Sequence, residues 1–181
     1  MRQSQLYIPT QNVPPAEEVS RNGRLLQQAG YVDKLQAGAY TWLPLGLRVL
    51  ERISTIVREE QNRIGGQEML MPALQPKALW DVTGRWTTLR DIMYQWEDSS
   101  GHAIGLATTH EEVITDLLRR GELTYKNLPQ ALYQLQWKFR NEPRAKSGVL
   151  RGREFLMKDL YSFHATAEDL DTFYAKVHQA Y

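Results

Sequence analysis

Phe139-Arg140-Asn141-Glu142, a connection of eight residues, and then Arg151-Gly152-Arg153-Glu154-Phe155-Leu156-Met157-Lys158-Asp159 form the stretch that decides how this 181-residue chain is read. Upstream, Tyr133, Leu135, Trp137 and Phe139 alternate with Gln134, Gln136, Lys138 and Arg140. A period of two is that of a strand, so the aromatic side chains line one face and the polar ones, with Glu142, the other. Past the connection, Arg151, Phe155 and Asp159 are separated by even numbers of residues and share one face of a second strand. A guanidinium holds a phosphate or carboxylate through paired hydrogen bonds, a phenyl ring covers a planar base, and a carboxylate accepts from an exocyclic amine. ATP presents those three needs, so the stretch reads as a nucleotide-binding hairpin. The competing reading is an amphipathic hairpin whose charges face water.

Working outward, the whole-chain charge is only +1, too little for a molecule-wide field that gathers nucleic acid. Basic character is local instead. Lys138, Arg140, Arg144, Lys146, Arg151 and Arg153 stand against Glu142 and Glu154, a net +4 able to meet phosphates. The chain has no cysteine, which excludes disulfides, thiolate metal sites and thiol nucleophiles. Met1-Arg2-Gln3-Ser4-Gln5 has no apolar signal core and no apolar run approaches a membrane span, so a cytoplasmic protein without a membrane segment is expected. A chain of this length buries about 70% of its unfolded surface, and one core is expected.

Toward the amino terminus, Pro14-Pro15 and Gly30 bracket a helix expected over 16–29. A short strand follows over 37–43, and Pro44-Leu45-Gly46 breaks the chain before a helix over 47–64. Its apolar stripe is Leu50, Ile53, Val57 and Ile64, Glu59 can pair with Arg63, and Gly65-Gly66 ends it. The run 67–74 reads as an apolar strand interrupted by Pro72, which suits a strand end, an edge or an interface. Segments 92–97 and 102–106 flank the turn residues Asp98-Ser99-Ser100-Gly101 as a hairpin. The second of them leads to Thr108-Thr109-His110-Glu111-Glu112. Thr109 and Glu112 have capping-box spacing ahead of a helix carrying Val113, Ile114, Leu117 and Leu118, which leaves Glu111 free to point elsewhere. The zinc pattern His-Glu-x-x-His is not completed, because position 114 is Ile. A last amphipathic helix starts at the cap Thr166-x-x-Asp169, carries Leu170, Phe173 and Val177, and has no terminating glycine before Tyr181.

Phe-Arg-x-Glu, a loop, then Arg-x-x-x-Phe-x-x-x-Asp resembles the second signature motif of the class II aminoacyl-tRNA synthetases. The long helix leading to the proline-bearing strand looks like their first motif, which builds a dimer interface containing Pro72. Thr109-His110-Glu111-Glu112 is similar to the Thr-x-Glu loop of prolyl-tRNA synthetases. The resemblance to the bacterial type runs on through Leu43 to Leu50, Met71 to Pro76 and Arg153 to His164, essentially the whole chain. Leu106-Ala107-Thr108 replaces the family's Gly-Pro lead into that loop, and Arg144-Ala145-Lys146-Ser147-Gly148 replaces a loop richer in proline and aromatics. What the resemblance implies is an α+β fold, an antiparallel sheet flanked by helices, incomplete at the carboxyl end. The third motif, the editing domain and the anticodon-binding domain of the family are not found, and the chain reads as cut inside its last helix.

The implied activity is ATP-dependent activation of proline to prolyl-adenylate and transfer to tRNA(Pro), weak or lost in this chain alone. By carry-over Arg140 bridges the α-phosphate and the substrate carboxylate, Glu142 accepts from the adenine amine, Phe155 stacks on the base, and Arg151 reaches the terminal phosphates. Thr109 and Glu111 accept the two N-H donors of proline's secondary ammonium. Mg2+ is expected with ATP, and a homodimer is implied. A truncated, non-catalytic relative acting as a dimerisation or nucleotide-binding module is the alternative.

Overall fold

A computed structural model describes residues 2–121 and 123–181. Length alone predicts one core; the chain falls into two compact units, one of residues 1–54 and 139–155, the other of residues 55–138 and 156–181.

In the first unit, α1 (Arg21–Gln28) starts later than expected because Ser20 caps it, its hydroxyl accepting from the Gly23 N-H at 3.2 Å. The helix stops where predicted, with Gly30 at φ 68°. The chain then makes an antiparallel hairpin of β1 (Val32–Gln36) and β2 (Ala39–Trp42). Only the second strand was legible, since Asp33, Lys34 and Gln36 break up the apolar pattern of the first. Val32, Ala39 and Leu43 form the core here. Helix α2 (Pro44–Arg63) begins three residues before the predicted start, because Pro44 occupies a first turn in which its missing N-H costs nothing. Arg63 pairs with Glu60, one turn back at i,i+3, and not with Glu59.

In the second unit, the strand expected over 67–74 is broken. Gln67–Glu68 is β3, Leu74–Pro76 is β4, and Pro72 lies exposed in the coil between them. Then come α3 (Lys77–Thr83), α4 (Arg85–Thr88), β5 (Gln95–Glu97), β6 (Ala103–Leu106), α5 (Glu111–Arg120), β7 (Gln130–Phe139), β8 (Glu154–Phe163) and α6 (Ala167–Ala180). One sheet has the order β4-β6-β5, all antiparallel; the other is β3-β7-β8, with β3 parallel to β7. The β5-β6 turn forms as read, Asp98 Oδ1 accepting from the N-H groups of Ser100 and His102 at 2.8 and 2.9 Å. The cap of α6 also forms, Thr166 Oγ1 accepting from Asp169 N at 3.2 Å. Met71, Trp80, Met93, Ala107, Ile114 and Tyr133 make the apolar core. The architecture is α+β, sheets flanked by helices, with one short parallel pair added to the antiparallel pattern predicted.

Candidate functional site

The connection between β7 and β8 belongs to the first unit. β7 stops at Phe139 and β8 begins at Glu154, so Arg140, Glu142 and Arg151 stand in the connection and not on strand faces as their spacing predicted. The physical reason is a tight turn: the Glu142 N-H donates to the Arg140 carbonyl at 2.7 Å, which takes the chain out of extended geometry. The predicted residues still meet. Arg140 N donates to the Arg153 carbonyl at 2.9 Å, and the Arg140 guanidinium lies 5.4 Å from the centroid of the Phe155 ring. Arg151 Nη2 donates to Glu142 Oε1 at 2.9 Å, and Arg153 Nε to the Glu142 carbonyl at 3.0 Å. More than half of the Arg151 side chain is exposed, so this ion pair is worth about 0 to 1 kcal/mol and is readily exchanged for another anion.

The β1-β2 turn props the connection. Gly38, at φ 81°, turns its carbonyl to accept from the N-H groups of both Arg153 and Glu154, at 2.7 and 3.2 Å. A Cβ at that position would stand 2.8 Å from Arg153 N and from the Ala145 methyl. Glycine is required twice over there, by conformation and by space.

In the second unit the Thr-His-Glu-Glu loop opens α5, but the predicted capping box does not form. The N-cap is His110, without a side-chain cap bond. Thr109 Oγ1 donates to Glu111 Oε2 at 2.5 Å, while Glu112 turns inward and its Oε1 accepts from Thr83 Oγ1 at 3.0 Å and Arg85 Nη1 at 2.9 Å. A buried carboxylate gains more from a guanidinium plus a hydroxyl than from one backbone N-H. Arg85, packed 5.3 Å from the Trp80 ring, also reaches Glu111 Oε2 at 3.3 Å and so bridges both acids. Glu111, Glu112, Arg85, Thr83, Val82 and Leu79 help to line a cavity of about 500 Å³. Thr109 and Glu111 are therefore brought together as predicted, with the hydroxyl proton on the carboxylate and the hydroxyl lone pairs able to accept an N-H.

Beneath this loop the polar face of β7 is buried, not solvated. Gln134 and Lys138 are 0% exposed. Lys138 Nζ donates to Asp159 Oδ2 at 2.9 Å and to His110 Nδ1; Gln134 Nε2 and Tyr161 OH donate to the same Asp159 oxygen at 3.0 and 2.6 Å. His110 Nε2 lies 3.1 Å from the Pro72 carbonyl, and the His110 backbone N-H donates to Tyr161 OH at 3.2 Å. Burial, and then the Lys138 charge, push the His110 pKa down to about 4, so the ring is neutral. The network assigns its proton to Nε2, donated to Pro72, and leaves Nδ1 to accept from the ammonium. Burial and the Asp159 carboxylate push the Tyr161 pKa up, keeping its hydroxyl protonated.

Lys138 thus spends its charge on Asp159 and drops out of the basic patch counted from sequence. Alternation placed it on the polar face of β7, and that face is covered at Lys138 by His110 and Asp159 instead of by water. Arg85, Lys138, Asp159 and Tyr161 were the partners missed. The one available signal was that Gln134 and Lys138 on β7 and Asp159 on β8 all carry polar groups at strand spacing, as a buried network needs.

Residues 94–181 match the family described as the tRNA synthetase class II core domain (G, H, P, S and T). Over all 181 residues the chain is 49% identical to the proline--tRNA ligase of Geobacillus sp. (strain WCH70) and to that of Listeria monocytogenes (strain HCC23), covering 32% of each. It spans about a third of the length of the curated relatives it matches. Among solved structures, prolyl-tRNA synthetase of Giardia lamblia in complex with prolyl-adenylate superposes with a TM-score of 0.79 at 21% identity, over 86% of this chain and 33% of that one. A structure described as the RNA binding domain of threonyl-tRNA synthetase of Cryptosporidium parvum superposes at 0.75 and 22% identity, over 86% of this chain and 39% of that one. At those identities the structures attest the fold.

Proposed function

We propose that this chain, whose residues 94–181 match the class II tRNA synthetase core domain, supplies the first two signature motifs of a proline--tRNA ligase, which activates proline with ATP and transfers it to tRNA(Pro). A carboxylate oxygen of proline attacks the α-phosphorus of ATP and pyrophosphate leaves. A ribose hydroxyl of the tRNA then takes the prolyl group, releasing AMP. No covalent bond to the protein forms, so its residues act by positioning and by charge.

The observation that carries this reading is the Arg140-Phe155 pair with Glu142 and Arg151 beside it in one unit. Phe155 offers a ring face to adenine and Glu142 accepts from the adenine amine. Arg140 serves the α-phosphate and the proline carboxylate, and Arg151 exchanges Glu142 for the terminal phosphates. Thr109 and Glu111 accept the N-H donors of the proline ammonium, supported by the joined hydroxyl and carboxylate of that loop. Mg2+ is proposed only as the counter-ion that ATP brings with its phosphates; among the described residues no group of three or more His, Asp or Glu forms a metal cluster. We propose a cytoplasmic homodimer, with Pro72 in the subunit interface. Among the described residues no helix is long and apolar enough to cross a membrane.

The test is proline-dependent ATP-pyrophosphate exchange by the full-length protein carrying this chain. Arg140→Ala is expected to lower exchange by about 10²- to 10³-fold, the scale of losing one donor to a developing charge. Near-normal exchange by that variant removes Arg140 from the chemistry. Exchange driven by serine, threonine, glycine or histidine in place of proline overturns the substrate.

A further inference from the structure

We infer that Lys138, Asp159 and Tyr161 are positioning residues for amino-acid recognition, holding the Thr109-His110-Glu111 loop from beneath through the ring and backbone of His110. The inference rests on the reading of Thr109 and Glu111 as acceptors for the substrate ammonium.

His110 is the residue between those two acceptors, and it is fixed at three points. Its ring nitrogens are held by Lys138 on one side and the Pro72 carbonyl on the other, and its backbone N-H by Tyr161. The holders are themselves fixed by one oxygen, Asp159 Oδ2, which accepts from Lys138, Gln134 and Tyr161. His110 and Lys138 are fully buried, so water does not compete for these bonds. Thr109 and Glu111, one residue to either side, are more accessible and carry the atoms offered to a ligand. Accepting two N-H groups of one nitrogen requires a hydroxyl and a carboxylate held within a fraction of an ångström, which exposed side chains achieve only when the backbone between them cannot move. Cross-linking that backbone to two strands through a buried ion pair supplies the rigidity. Spacing put Lys138 in the basic patch and Asp159 on the face of Arg151 and Phe155, whereas in the structure the two pair with each other beneath the loop.

The experiment measures L-proline and ATP affinities separately, by calorimetry on the full-length protein, for Lys138→Met, Lys138→Arg, Tyr161→Phe, Thr109→Ala and Glu111→Gln. Lys138→Met and Tyr161→Phe are expected to weaken L-proline by about tenfold or more, the scale seen when groups behind a binding residue are removed, with ATP affinity unchanged within about twofold. Lys138→Arg, which keeps charge and donors, should recover part of the loss. Tyr161→Phe deletes one hydroxyl and keeps the ring, so it reads the loop even where Lys138→Met leaves Asp159 uncompensated and the fold fails. Equal losses of L-proline and ATP, or no loss of either, overturn the inference. If Thr109→Ala and Glu111→Gln weaken L-proline while Tyr161→Phe and Lys138→Met do not, the positioning role alone fails. If Thr109→Ala and Glu111→Gln leave L-proline unaffected, the acceptor assignment fails and takes this inference with it.

Discussion

Protonating His110 would put a second positive charge against the Lys138 ammonium in a place water does not reach, and both effects hold its pKa near 4. In the unfolded chain the ring takes its proton near the ordinary 6.5. The sign follows from linkage: the contribution to stability is complete above about pH 6.5, declines as the pH falls, and is lost below about 4, a total of about 3 kcal/mol. Urea unfolding at pH 7, 5.5 and 4 should show that slope, and His110→Gln should flatten it. An unchanged slope in the variant would assign the acid sensitivity to other groups. At this scale the sequence was informative about which residue types meet and poor about which way they turn. Thr109 with Glu111 was legible because the two lie two positions apart, and Arg140 with Phe155 because both belong to one motif of neighbouring strand segments. Glu112 was not, because its partners Thr83 and Arg85 lie 29 and 27 positions away and outcompeted the local cap.

Among the elements, helix ends with strong punctuation fell close to where they were predicted, as Gly30 after α1 and Thr166 before α6 illustrate, while the start of α1 moved to the Ser20 cap. Strands fared worse where proline or charge interrupted the period, as at 67–74 and in β1. Nothing in the spacing of the 139–155 segment announced that the β1-β2 turn holds it through Gly38. Gly38→Ala is expected to destabilise by about 1 to 3 kcal/mol, since alanine must adopt a positive φ and its methyl meets Arg153 N and Ala145. Because the displaced segment carries Arg151 and Arg153, ATP affinity should fall more than proline affinity. Equal affinities for both ligands in a folded Gly38→Ala protein would show that the turn supports stability alone.

For the molecule as a whole, the division into two units was invisible from length, since each draws on segments far apart in sequence. The resemblance to class II synthetases was legible because the motifs that carry it are local strings, and the α+β architecture was expected from it. Leu47, Val49, Ile53 and Ile56 of α2 are between 43% and 53% exposed, more apolar surface than a helix needs to leave to water. The proposed homodimer accounts for it. Ile53→Asp should lower the sedimentation mass of the full-length protein toward that of one subunit at micromolar concentration, with its circular dichroism preserved. A dimer that survives this substitution places the interface on another surface.

The tether at Gly38 is made between peptide groups alone. Side chains at 153 and 154 can therefore drift in evolution without cutting it, whereas proline at either position deletes an N-H and halves the attachment.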